Sequence, residues 1–124
     1  MDYEETSAEY LSRIKTGLKD DVAYEVFVES IDLIRSLVDQ AKAHGCRYYY
    51  GREKPKTFEL QMIFAGDNGE EFRVRVRFGA KYQERAKHPI GYETRFVFST
   101  AILNLVLNTP GIEPMRYTPR GKLI

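Results

Sequence analysis

Tryptophan is absent from this 124-residue chain, and cysteine occurs once, as Cys46. A single thiol excludes an internal disulfide. No apolar run approaches the ~20 residues that cross a bilayer, so no membrane partner is expected. The chain opens on MDYEETSAEY, acidic and polar, with no charged-then-apolar leader. These absences predict a reducing, cytoplasmic setting. Catalytic signatures are missing as well: there is no GxGxxG, P-loop, GxSxG or HExxH pattern. His44 and Cys46 stand two positions apart, with no second Cys or His cluster to complete a four-ligand site. Neither a metal nor a cofactor is expected, and the chain does not read as an enzyme.

What is present points to a small globular protein. Apolar residues make up 43% and charged residues 30% of the sequence, which argues against general disorder. The length fits one domain, 1–124, that buries roughly two-thirds of its unfolded surface. Nine tyrosines and seven phenylalanines suit a β-sheet, where rings are favoured. The net charge of +1 hides a split. Residues 1–44 hold ten acidic and five basic side chains, whereas 45–124 hold eight acidic and fourteen basic ones. The split predicts an acidic and a basic face; the alternative is that the two halves neutralise each other across the fold.

Thr6-Ser7-Ala8-Glu9 matches a capping box, in which the threonine hydroxyl and the glutamate satisfy each other's backbone donors. It predicts a short amino-terminal helix to about Thr16, closed by Gly17. Asp20 or Asp21 then caps a longer helix. Ala23, Phe27, Ile31, Ile34, Val38 and Ala41 keep the three-to-four spacing of one buried face, with Val26, Leu33 and Leu37 widening it. Lys42 and His44 suit the negative end of the helix dipole, and Gly45 ends the helix.

From Cys46 the period changes to two. CRYYYGR is a strand candidate and EKPK a basic loop. TFELQMIFAG and EEFRVRVRFG are alternating runs joined around Asp67-Asn68-Gly69. Their apolar residues are all even-numbered, so facing pairs must have even sums. A two-residue Asn-Gly turn breaks that parity. A three-residue loop with Gly69 in the left-handed region keeps it, pairing Phe64 with Phe72, Met62 with Val74 and Leu60 with Val76. Glu59 then faces Arg77, and Gln61 faces Arg75, on the other side.

AKYQERAKHPIGY reads as a polar, basic connection. ETRFVFS reads as a further strand, with Phe96 and Phe98 inward and Arg95 outward. TAILNLVLN reads as a helix rather than a buried strand, ended by Thr109-Pro110-Gly111. Residues 109–124 read as an extended tail. The expected architecture is α+β: an antiparallel sheet of about four strands packed on one long helix, with the short amino-terminal helix and a carboxy-terminal helix completing the core.

The strongest candidate site is the row Arg73, Arg75, Arg77. Alternation sends all three guanidinium groups to one side of a strand, and arginine's planar fork pairs with oxyanions. Arg95, Tyr49, Arg52, Lys54 and Lys56 are expected beside them. The competing reading is a solvated sheet face with cross-strand ion pairs such as Glu59–Arg77. A second row, Asp21, Glu25, Glu29, Asp32 and Asp39, lines one helix face; it is either a docking surface or the wet side of an amphipathic helix. AILNLVL, at 101–107, is core or a homodimer contact.

The function expected is a non-catalytic binding module, an adaptor or an inhibitor, that docks its basic face on an acidic macromolecule, foremost a protein complex. Nucleic-acid binding by the same face is the alternative, although the glycine–aromatic signature of an RNA-recognition motif is missing. A third reading is a small-ligand or catalytic cleft near His88, Glu84 and Tyr92. Glu84 and Glu93 flank the basic loop, as paired acids or, as most such residues are, in salt bridges.

Overall fold

A computed structural model describes residues 21–54, 56–87, 91–117 and 121. The Thr6–Glu9 capping box and its helix lie outside those residues, as does His88. In chain order the described elements are α1 (Asp21–Ala43), β1 (Tyr48–Lys54), β2 (Glu59–Ala65), β3 (Glu71–Arg77), α2 (Gly79–Ala86), α3 (Tyr92–Leu107) and β4 (Glu113–Pro114). The strands form one sheet in the order β3-β2-β1-β4. The fold is α+β, as the pattern predicts. The sheet is mixed rather than purely antiparallel, because β4 runs parallel to β1.

In α1 the amphipathic spacing sets the buried face. Ala23, Val26, Phe27, Ile31, Ile34, Val38 and Ala41 are all buried. Each larger side chain among them contributes about 1.5–3 kcal/mol through water exclusion. Leu33 does not join this face; it is half exposed. Gly45 follows the helix at φ +91°, the left-handed terminator its position predicts.

The hairpin pairs as the parity argument requires, with Phe64 opposite Phe72, Met62 opposite Val74 and Leu60 opposite Val76. Gly66 N–H donates to the Glu70 carbonyl at 2.9 Å, leaving Asp67-Asn68-Gly69 as the loop. Gly69 has φ +85°. Glu70 steadies the loop by accepting the Asn68 N–H at 2.8 Å. At the base of the hairpin Phe58 holds φ +44°, rare for a residue with a side chain. Its ring is buried against Phe78 and Phe98, at centroid separations of 5.7 and 5.0 Å.

Residues 79–107 differ most from expectation. The stretch read as a polar connection contains α2, and ETRFVFS is the first half of α3 rather than a strand. Of its two phenylalanines, Phe98 is buried and Phe96 is exposed. The TAILNLVLN segment is helical, as expected, and continues the same helix. Phe98, Ala101, Ile102, Leu105 and Val106 of α3 are buried in one core with α1 and the covered side of the sheet. Phe98 is central there, with Phe27 at 5.5 Å and Phe78 at 4.7 Å.

The start of the expected tail is pinned. Glu113 N–H donates to the Arg47 carbonyl at 2.8 Å, and Met115 N–H to the Tyr49 carbonyl at 2.9 Å. Lys42 Nζ donates to the Pro110 carbonyl at 2.8 Å, holding the turn before β4 against the end of α1.

Candidate functional site

Strand pairing assigns every sheet residue to a face. On one side lie Tyr48, Tyr50, Arg52 and Lys54 of β1, then Glu59, Gln61, Ile63 and Ala65 of β2, then Glu71, Arg73, Arg75 and Arg77 of β3. Three cross-strand rows carry the charge: Arg73–Ile63–Tyr50, Arg75–Gln61–Arg52 and Arg77–Glu59–Lys54. The opposite side carries the core. The small apolar cluster on the arginine side contains Ile63, Ala65 and Met115 with Tyr48 and Tyr50, and no residue of α1, α2 or α3.

Arg52, Lys54, Arg73, Arg75 and Arg77 therefore share one face, as the alternation predicts for the three of β3. Lys56 is exposed in the turn before β2. Two expected members are elsewhere. Tyr49 sits on the helix-covered side opposite Phe64, 2% exposed, with its ring centroid 4.9 Å from that of Phe64. Arg95 belongs to α3, not to a strand, and lies 3.8 Å from Glu53 on the covered side of β1. Ser99 donates to the same carboxylate at 3.2 Å, so Arg95 and Ser99 tie α3 to the sheet.

Two of the five cations are engaged within the face. Arg73 pairs with Glu71, and Arg77 Nε stands 3.9 Å from Glu59. Among the described residues Arg52 and Arg75 make no ion pair, and they flank the neutral Gln61. Five cations against Glu59 and Glu71 leave the face positive. Beside it, at the Tyr48 end, lies an open groove of about 660 Å³ lined by Tyr48, Asp67, Glu113, Met115, Arg116 and Tyr117. The groove wall is built: Tyr48 donates to Asp67 at 2.8 Å, Arg47 pairs with Asp67 at 3.1 Å and stacks over the Tyr48 ring at 4.8 Å. The hydrogen bond to the Tyr48 hydroxyl and the charge of the Asp67 carboxylate raise the pKa of the Arg47 guanidinium.

The acidic helix row has a different fate. Glu29 accepts ion pairs from Lys81 at 2.6 Å and Arg85 at 2.8 Å, and Glu25 stands 3.9 Å from Arg85. Hydrogen bonds from Lys81 and Arg85 hold the Glu29 carboxyl below its usual range. Here the acidic and basic halves of the chain do neutralise each other, and α2 exists in the position where it does so. Asp21 and Asp32 stay exposed.

Tyr48 and Tyr50 join the basic face where Tyr49 does not. Three successive tyrosines carry no parity signal of their own, so only the register against β2 separates them. Ile63 and Met115 were also not legible as face residues: Ile63 breaks the even-numbered apolar series, and Met115 follows β4, where its N–H bonds the Tyr49 carbonyl. Cys46 is buried, and burial together with Glu70 and Glu71 raises its thiol pKa, the opposite of an activated nucleophile. Glu84 and Glu93 lie exposed on α2 and α3. Among the described residues no group of three His, Cys, Asp or Glu side chains is placed to hold a metal, and no helix is long and apolar enough to cross a membrane. Comparison with protein-family models, with curated proteins and with solved structures finds no match to this chain.

Proposed function

We propose that this chain is a non-catalytic binding module, of adaptor or inhibitor type, whose basic sheet face docks on an acidic protein surface. The observation that carries the reading is the row Arg75–Gln61–Arg52: two arginines on one face, without ion-pair partners among the described residues, and next to the row of half-buried Tyr50 and buried Ile63. Guanidinium groups next to tyrosine and aliphatic side chains are the composition of interface anchors rather than of a merely wetted surface. An acidic protein suits the face better than a phosphate backbone does, because Glu59 and Glu71 lie among the cations and repel a uniform line of phosphates. The buried thiol of Cys46 is compatible with a reducing cytoplasm, where this module would work.

The test is a salt titration of binding to the co-purified partner, with the wild-type chain and with Arg73/Arg75/Arg77→Ser. A protein partner gives a shallow salt dependence and a loss of at least about tenfold in the triple variant, as for removal of two or three interface arginines. A steep logarithmic fall with salt, removed by nuclease, assigns the face to nucleic acid instead. A folded triple variant that binds as the wild type reduces the arginine row to solvation.

A further inference from the structure

The outer edge of β3 carries a separate observation. β3 ends the sheet, and among the described residues no strand lies beyond it. Hydrogen bonds close the hairpin between Gly66 and Glu70 at its tip, and from Phe78 N–H to the Phe58 carbonyl at its base. Bonded pairs recur at every second position of an antiparallel ladder. The backbone groups of Phe72, Val74 and Val76 therefore turn toward β2. Those of Arg73 and Arg75 turn outward, to the free edge. The same two residues also carry guanidinium groups on the basic face, so edge and face are one recognition surface.

We propose that this edge takes an extended acidic segment of a partner protein as a fifth, antiparallel strand, with acidic residues alternating with apolar ones. The proposal rests on the reading of the arginine face given above and specifies how the partner is held. Partner residues directly opposite Arg73, Arg75 and Arg77 share their face, so carboxylates belong there. The residues between them fall opposite Phe72, Val74 and Val76 and extend the covered core. Phe72 and Val74 are only half-buried while Val76 is buried, so that side of the edge has apolar area still to cover. Main-chain bonds then supply affinity and the alternating side chains supply specificity.

A second copy of β3 fits less well than an acidic strand does, even though the register that pairs all seven residues also sets Glu71 across from Arg77. In every face-matched antiparallel register that pairs most of the strand, at least one arginine of Arg73, Arg75 and Arg77 stands across from another, and like charges directly opposite are destabilising. The arginines thus protect the edge from self-association while leaving it open to a strand of the opposite sign.

The probe is a synthetic heptapeptide of alternating glutamate and valine, titrated into the full chain by fluorescence anisotropy. With glutamates opposite the arginines, it is the glutamate N–H groups that face β3, and the valine N–H groups face away. Methylating the glutamate nitrogens weakens binding by about tenfold or more, the worth of two lost backbone bonds. Methylating the valine nitrogens leaves it within about twofold. If the two methylated peptides bind alike, strand addition is overturned while docking on the charged face stands. If no acidic peptide binds and Arg73/Arg75/Arg77→Ser changes nothing, the docking face itself is overturned.

Discussion

One sheet presents two faces that obey different rules. The covered face is a continuous apolar layer, with Leu60, Met62, Phe64, Val76 and Tyr49 sealed under α1 and α3. The other face mixes five cations, two carboxylates and a few apolar side chains. The same strands build both, and alternation alone separates them. On the covered face shape decides, because a packed interior answers to every lost or added atom. On the basic face charge decides at the exposed Arg52, Arg73, Arg75 and Arg77, while Glu59, Ile63 and Ala65 beneath them are buried. The covered side therefore carries most of the apolar core, and the arginine side carries the cations together with the smaller cluster of Ile63, Ala65 and Met115.

The largest break in this contrast is Phe98→Ala. It removes the ring that meets Phe27, Phe58 and Phe78, and a loss of about 3–5 kcal/mol is expected in urea unfolding. Gly79→Ala follows. A methyl group there meets the Thr57 carbonyl oxygen at 2.2 Å, and backbone has little room to yield, so a loss of about 1–3 kcal/mol is expected. Tyr49→Phe acts in the other direction. Its buried hydroxyl has no hydrogen-bond partner among the described residues, so the variant gains about 1 kcal/mol. That hydroxyl also stands 2.6 Å from where a side chain on Gly51 would begin. Gly51→Ala is accordingly expected to cost less in the Tyr49→Phe background than in the wild type, a coupling that a double-mutant cycle reads directly.

Titration sharpens the same contrast. Burial raises the Tyr49 hydroxyl above its ordinary value near 10. The folded chain then holds this proton longer than the unfolded chain does. The associated stability is whole below pH 10 and declines as pH rises beyond it. Tyr49→Phe should remove this part of an alkaline unfolding curve and leave the part due to Cys46. The acid limb depends on Glu29, whose lowered pKa makes its contribution whole above pH 4.5 and lost as pH falls through the folded value. Glu29→Gln should flatten that limb. The smallest effect belongs to the basic face: Arg75→Ser is expected to change unfolding free energy by no more than about 0.5 kcal/mol. A larger loss would show that the face has a structural duty after all.

Legibility followed the strength of local pattern. The α1 stripe is readable because Ala23 through Ala41 repeat at helical spacing over about five turns. The hairpin register is readable because its apolar residues share a parity, and that constraint outranked the attraction of Asn68-Gly69 as a two-residue turn. The segment from Ala80 to Ala86 offered good helix formers, yet Gly79 and Pro89 at its flanks made it look like a connection. In α3, Phe96 and Phe98 alternate like strand residues, while the segment as a whole is apolar on every side. Such a stretch has no period to read, and packing on α1 and β1 settles it.

By itself, the amino-acid sequence determined the long helix, the pairing of β2 with β3 and the common direction of Arg73, Arg75 and Arg77, since each follows from periodicity along a few neighbouring residues. Tertiary structure alone decided that Tyr49 turns inward while Tyr50 turns outward, that Arg95 braces α3 on Glu53, and that Glu25 and Glu29 are consumed by α2. Those outcomes depend on partners up to some sixty positions away in the chain, and no local pattern encodes which distant charge or ring will arrive alongside.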